Sequence, residues 1–290
     1  MRWVVFLCSI VPLWAQPVSI SPQQPRQGEV LFVRSGDGVK ARMLVQTIAL
    51  FPQTDGAPLG LMPVPTLTKP GTYPLELLDE DGKVVEKMDV TVLDAHYARQ
   101  NIAIEKAVAT LKPSPGEQET VGAFRKEVSD TRHWKEPLEL PLPGCLTSPF
   151  GVQRYYNGKP TGDFHAGLDQ RGAEGTPIHA ITGGVVKIVR QFNLRGGTVA
   201  IDHGQGLQSI YMHQSKLAVK EGDHVETGDV IGYVGATGRA TGAHLHWTLY
   251  ANGVPVNPGQ WLKAPPPCEP HAAPPAKPAP AKKPPSTGRN

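Results

Sequence analysis

Cysteine is scarce in this chain of 290 residues, with three copies at Cys8, Cys145 and Cys268. Cys8 lies in an apolar N-terminal run, so Cys145 and Cys268 are the one remaining pair that could form a disulfide. Excess charge is scarce too. A net charge of +3 gives no reason to expect nucleic acid as a partner. The apolar run from Trp3 to Val11 falls short of the roughly 20 residues that cross a bilayer. It fits the hydrophobic part of a signal peptide (residues 1–15), with Arg2 ahead of it and Ala15 at the cleavage position. Val5, Phe6 and Leu7 offer no small residue ahead of Cys8, which argues against a lipid anchor. The expectation is an exported chain with no membrane span once the signal is removed. Helical pattern is sparse as well. With 31 glycines and 30 prolines, the composition predicts many turns and an all-β fold with linkers.

What is present divides into segments. Residues 16–95 predict an immunoglobulin-like β-sandwich. VLFVR (Val30 to Arg34) is a short strand; Tyr73, Leu75 and Leu77 alternate toward a turn at Asp81-Gly82, and Val84 to Val92 return. The Cys-Trp-Cys signature of true immunoglobulin domains is missing, so the label describes architecture alone. Residues 96–138 read as a connector, with a short helix expected within AHYARQNIAIEKAVATL and isolated Phe124 and Trp134 beyond it. Residues 139–263 hold the β-type segments VVKIV, TVAID, LQSIYM, VIGYVG and HLHWTLY, each bounded by Gly, Asp or Asn. Residues 264–290 are rich in Pro and Lys and predict a disordered tail.

Chemistry concentrates in three pieces of the 139–263 segment: FHAGLD with His165 and Asp169, YMH with His213, and HLHW with His244 and His246. Two histidines and one carboxylate complete a catalytic zinc site that keeps a position open for water. The other two histidines are then free to move protons. Each piece alone has a plain explanation. His-x-x-x-Asp describes a surface histidine near an acid, and His213 is a histidine at a strand end. In His-x-His, alternation puts both imidazoles on one face of a strand with Trp247 opposite. His203, in DHG, reads as structural.

Residues 145–250 resemble the lysostaphin-type (LytM-like) zinc endopeptidases of bacterial cell walls. The resemblance rests on TSPFG with Arg154, FHAGLD, AITGGVV, VAIDHGQGLQSIYMH, VKEGDHVETGDVIGYVGATG and TGAHLHW, in that order. It implies a mostly antiparallel β-sheet peptidase domain with the site in a groove and one Zn2+ per chain. It implies His165, Asp169 and His246 as zinc ligands and His213 and His244 as catalytic histidines. The implied substrate is peptidoglycan, cleaved at stem peptides or cross-links, in the periplasm or at the cell wall outside. A regulatory protein partner would engage the N-terminal domain. Tyr155 or Tyr156 is expected at the groove wall, and Arg154 as a loop brace or a ligand for a substrate carboxylate. The alternative function is a non-catalytic relative that binds the wall or activates a separate amidase.

Overall fold

The computed structural model describes residues 18–54, 56–262 and Cys268; the expected signal segment, and the expected tail apart from Cys268, lie outside these. The described chain is all-β in character. Near the N-terminus two antiparallel sheets enclose one core. Ser19–Ser21, Val30–Arg34, Gly56–Pro63 and Phe51–Gln53 form the first in that order, and Gln46–Ala49, Lys40–Met43, Gly71–Leu78 and Val84–Val92 the second. Leu31, Val33, Met43, Met62, Leu75, Leu77 and Val90 meet between them. The strand Val30–Arg34 is apolar on both faces because both are covered. Val30 packs with Leu59 and Leu61 into the core of the following domain, while Leu31 and Val33 face the sandwich. Gln260 closes this junction, its side chain bonding both the N–H and the C=O of Val30 at 2.7 Å.

The second half is built on a sheet running Leu146–Ser148, Leu168–Arg171, His244–Ala251, Leu207–Gln214, Gly196–Gly204, Gly184–Phe192 and His224–Val225. Val254–Val256 pairs with His244–Ala251 to one side of that path. Trp247, Tyr211, Leu245 and Val199 are completely buried in the core beneath it. A disulfide joins Cys145 to Cys268, and the Cys268 N–H donates to the Leu146 carbonyl at 2.9 Å. The bridge therefore pins the first strand of this sheet.

The segment between the two halves departs from the sequence expectation. A helix was expected over 95–111. Its place is taken by the strand Arg99–Ile102 and a single helical turn, Lys106–Ala109. The strand pairs in parallel with Gln153–Tyr156, which also forms a hairpin with Lys159–Phe164. A helix then forms at Glu117–Lys126, where the sequence pattern offered little apolar periodicity. Its Val121 and Phe124 cover Ile188, Phe192, Ala200, Ile210 and Tyr250 on the outer face of the large sheet.

Candidate metal centre and groove

Sheet register alone brings two chemical groups together. Asp169 and His246 are direct partners across the strands Leu168–Arg171 and His244–Ala251. Their side chains meet with Asp169 Oδ1 2.7 Å from His246 Nδ1. His165 enters just after the strand Lys159–Phe164, fixed by its own N–H to Val152 O at 2.9 Å and its carbonyl to the Gly151 N–H at 2.8 Å. Its Nε2 stands 3.0 Å from Asp169 Oδ1 and 2.9 Å from His246 Nδ1. All three residues are buried.

Backbone carbonyls decide which nitrogens are free. Pro149 O, 2.8 Å from His165 Nδ1, can only accept, so Nδ1 carries a proton and the inward-facing Nε2 is the nitrogen that could give a lone pair to an ion. Ser148 Oγ lies 3.1 Å from the same Nδ1 and donates to Gln100 Oε1 at 2.8 Å, tying the connector strand to this histidine. His246 Nε2 lies 3.1 Å from Thr248 Oγ1. Two imidazole nitrogens and a carboxylate oxygen thus converge within 3.0 Å. Two ligands on ~2.05 Å bonds at a tetrahedral ion would stand roughly 3.3 Å apart. The donor set and spacing fit a small borderline-soft cation such as zinc.

Burial alone would raise the Asp169 carboxyl. The charge and hydrogen bond of His165, then those of His246, override it and hold the group well below the usual carboxylate range. Burial pushes His246 down to about 4, against the hydrogen bond it donates to Asp169. The second oxygen of Asp169 is held by Arg154, with Nη2 at 3.0 Å from Oδ2.

His213 and His244 stand over the same space, with ring centroids 4.9 Å apart. His213 has φ +62 at the end of the strand Leu207–Gln214, a left-handed turn of the backbone. Its N–H donates to Arg195 O at 2.9 Å and its Nδ1 to Thr237 O at 2.8 Å. Burial, reinforced by His244 and His246, lowers it to about 3. The Nδ1 of His244 donates to Gly242 O at 2.8 Å, and its Nε2 lies 4.0 Å from Asp169 Oδ1. Both rings are therefore anchored through Nδ1 and offer Nε2 as an acceptor.

His165, His213 and His246 line a groove of about 820 Å³. The hairpin forms one wall with Tyr156 and Lys159; the other carries Leu194, Arg195 and Arg239. Of the two tyrosines considered, Tyr156 lines the groove, while Tyr155 lies beneath the Arg99 guanidinium at 6.0 Å. Arg154 is a brace, on the carboxylate of Asp169. His203 is fully buried, bonded to Gly183 O and Ser209 Oγ. Sequence reasoning missed Thr248, Gln100 and the pair Glu117–Arg195. Glu117 is buried and takes Arg195 Nη1 at 2.8 Å together with the N–H groups of Leu194 and Arg195. The even spacing of His244, His246 and Thr248 along one strand was the available signal for Thr248.

Residues 163–258 match the sequence profile of peptidase family M23. Those residues form an M23-type peptidase domain. Over 113 residues the chain is 41% identical to the DD-carboxypeptidase/endopeptidase Mpg of Neisseria meningitidis, covering 39% of this chain and 26% of that protein. Over 93 residues it is 43% identical to the peptidoglycan DD-endopeptidase ShyA of Vibrio cholerae, covering 32% of this chain and 22% of the relative. The chain spans about a quarter of the length of these curated relatives. A solved structure from Pseudomonas aeruginosa, assigned to peptidase M23, superposes with a TM-score of 0.63 at 29% identity, covering 83% of this chain and 95% of that one. That match extends well beyond the M23 domain.

Proposed function

We propose that this chain is an exported zinc metalloendopeptidase that hydrolyses peptide bonds in the stem peptides or cross-links of peptidoglycan. The observation that carries the reading is the convergence of His165 Nε2, Asp169 Oδ1 and His246 Nδ1 beneath two further imidazoles in one groove. His165, Asp169 and His246 would hold the ion. When bound, zinc lowers the pKa of a water from about 15.7 towards about 7 and polarises the scissile carbonyl. His213 and His244 then share the proton traffic. Each is anchored through Nδ1, so Nε2 can take a proton from the attacking water and return it to the departing amine. Arg154 holds the second oxygen of Asp169 and orients the carboxylate. Were His246 to hold the ion through Nδ1, its proton would sit on Nε2 and donate to Thr248 Oγ1.

The substrate class draws support from the names of the relatives, which are peptidoglycan DD-endopeptidases and a DD-carboxypeptidase/endopeptidase. Export draws support from the N-terminal apolar run and from the Cys145–Cys268 disulfide, a bond favoured in oxidising compartments. The immunoglobulin-like label for the first sandwich is part of the same proposal, supported by its strand order. Its surface would dock a regulatory partner.

The test combines metal analysis with turnover. Purified protein is expected to hold about one zinc, lost in His246→Ala, and to release free amines from peptidoglycan until a chelator is added. His213→Ala and His244→Ala should keep the metal yet cleave about 10²- to 10⁴-fold more slowly. Full zinc retention in His246→Ala, or amine release indifferent to chelator, would reject the reading.

A further inference from the structure

We propose that Arg239 is a carboxylate-binding residue of the groove, selecting peptides that carry a free carboxylate close to the bond cleaved. The inference rests on the peptidase reading and names a chemical feature of its substrate.

The argument begins with charge pairing. Arg154, Lys159, Arg195 and Arg239 line the groove, against Asp163 on the hairpin and the Asp169 carboxylate at the metal centre. Arg154 is committed to Asp169 at 3.0 Å. Arg195 is neutralised from behind by buried Glu117 at 2.8 Å. Lys159 is exposed on the same strand as Asp163. Arg239 stands on the opposite wall, half-buried, and no carboxylate among the described residues pairs with it. An arginine serving only the fold would be expected to bond a protein acceptor. One held in a groove wall without such an acceptor has its planar fork available to a ligand carboxylate.

The backbone makes this placement firm. The Arg239 N–H donates to Leu194 O at 2.9 Å. Gly238 before it has φ +76, and a Cβ there would lie 2.4 Å from Gly196 N, so the two loops are in backbone contact. Two residues before Arg239, the Thr237 carbonyl fixes His213, and the Thr237 hydroxyl takes the Gly197 N–H at 2.9 Å and donates to Gln214 O at 2.8 Å. One rigid loop therefore carries both the anchor of a proton-transfer histidine and the unpaired guanidinium. A substrate carboxylate on Arg239 would be registered against the side of the scissile bond that His213 serves.

The experiment measures binding and needs no turnover. Full-length, zinc-loaded protein is titrated by calorimetry with acetyl-D-alanyl-D-alanine and with its C-terminal amide. The parent should bind the acid about tenfold more tightly than the amide. Arg239→Gln should erase that preference while zinc content and melting temperature stay unchanged, and Arg239→Lys should restore part of it. A preference that survives in Arg239→Gln would place the carboxylate on the ion and overturn the proposal; so would a parent that binds both peptides equally. A chain that shows the Arg239-dependent preference but never cleaves peptidoglycan would overturn the enzymatic reading alone.

Discussion

His246 and Thr248 lie two residues apart on one strand, and the imidazole Nε2 sits 3.1 Å from the threonine hydroxyl. The contact points the other nitrogen, Nδ1, at Asp169 and His165. Thr248→Val keeps the shape and removes the acceptor. Zinc affinity should fall about 10- to 100-fold, read by competition against a chromophoric chelator, with the unfolding midpoint little changed. An affinity equal to the parent's would mean that the hydroxyl does not orient the ring.

Glu117 should matter far more than its place on a polar helix suggests. Burial would raise its carboxyl, yet hydrogen bonds from Ser114, Leu194 and Arg195 hold it below the usual range. Glu117→Gln leaves Arg195 without its counter-charge and should cost about 2–3 kcal/mol, below the figure for a fully buried pair because Arg195 is partly exposed. Urea unfolding measures it. A midpoint within error of the parent's would show that water replaces the carboxylate without loss.

Acid should destabilise the fold through His203. Burial, with smaller opposing contributions from Gly183 and Asp202, lowers this histidine from 6.5 to about 4. Above pH 6.5 it is neutral folded and unfolded, and contributes no pH dependence. Between pH 6.5 and 4 the unfolded chain binds the proton and the folded chain does not, so stability drops as pH falls, by on the order of 3 kcal/mol in all. His203→Gln should flatten the stability–pH curve in that window. Parallel curves for parent and variant would assign the acid lability elsewhere.

Removing the Cys145–Cys268 bridge should lower stability by about 2–4 kcal/mol, since it closes a long stretch of chain. Replacing both cysteines by serine and comparing unfolding midpoints under oxidising conditions provides the measurement. An unchanged midpoint would show that sheet pairing alone holds the strand Leu146–Ser148.

The parts of this molecule readable from sequence share one property: their pattern is local. The hairpin of Gly71–Leu78 with Val84–Val92 follows from alternation around Asp81-Gly82. The common face of His244 and His246 follows from the two-residue period of a strand, with Trp247 buried on the other side. The connector defeats the same approach. Ile102, Ile104, Val108 and Leu111 mimic a helical stripe, but Arg99–Ile102 gains more from pairing with a strand more than fifty positions away. The helix Glu117–Lys126 hides behind a polar sequence because one of its buried residues is a glutamate, whose partners come from a distant loop. Geometry of that kind is set by tertiary contact and leaves no periodic trace.

The parallel pairing of Arg99–Ile102 with Gln153–Tyr156 bears on how such a protein can be recombined. Asn157 exchanges two hydrogen bonds with Ile104, and Ala109 and Gln118 line the groove. The region recognised by family profile, 163–258, contains none of these residues. A chimera spliced at the profile's edges would inherit the five converging side chains and the wall of Leu194, Arg195 and Arg239, but would borrow the facing wall from a stranger. A cassette that carries both walls must begin before Arg99 and reach Cys268, whose bridge holds the strand Leu146–Ser148.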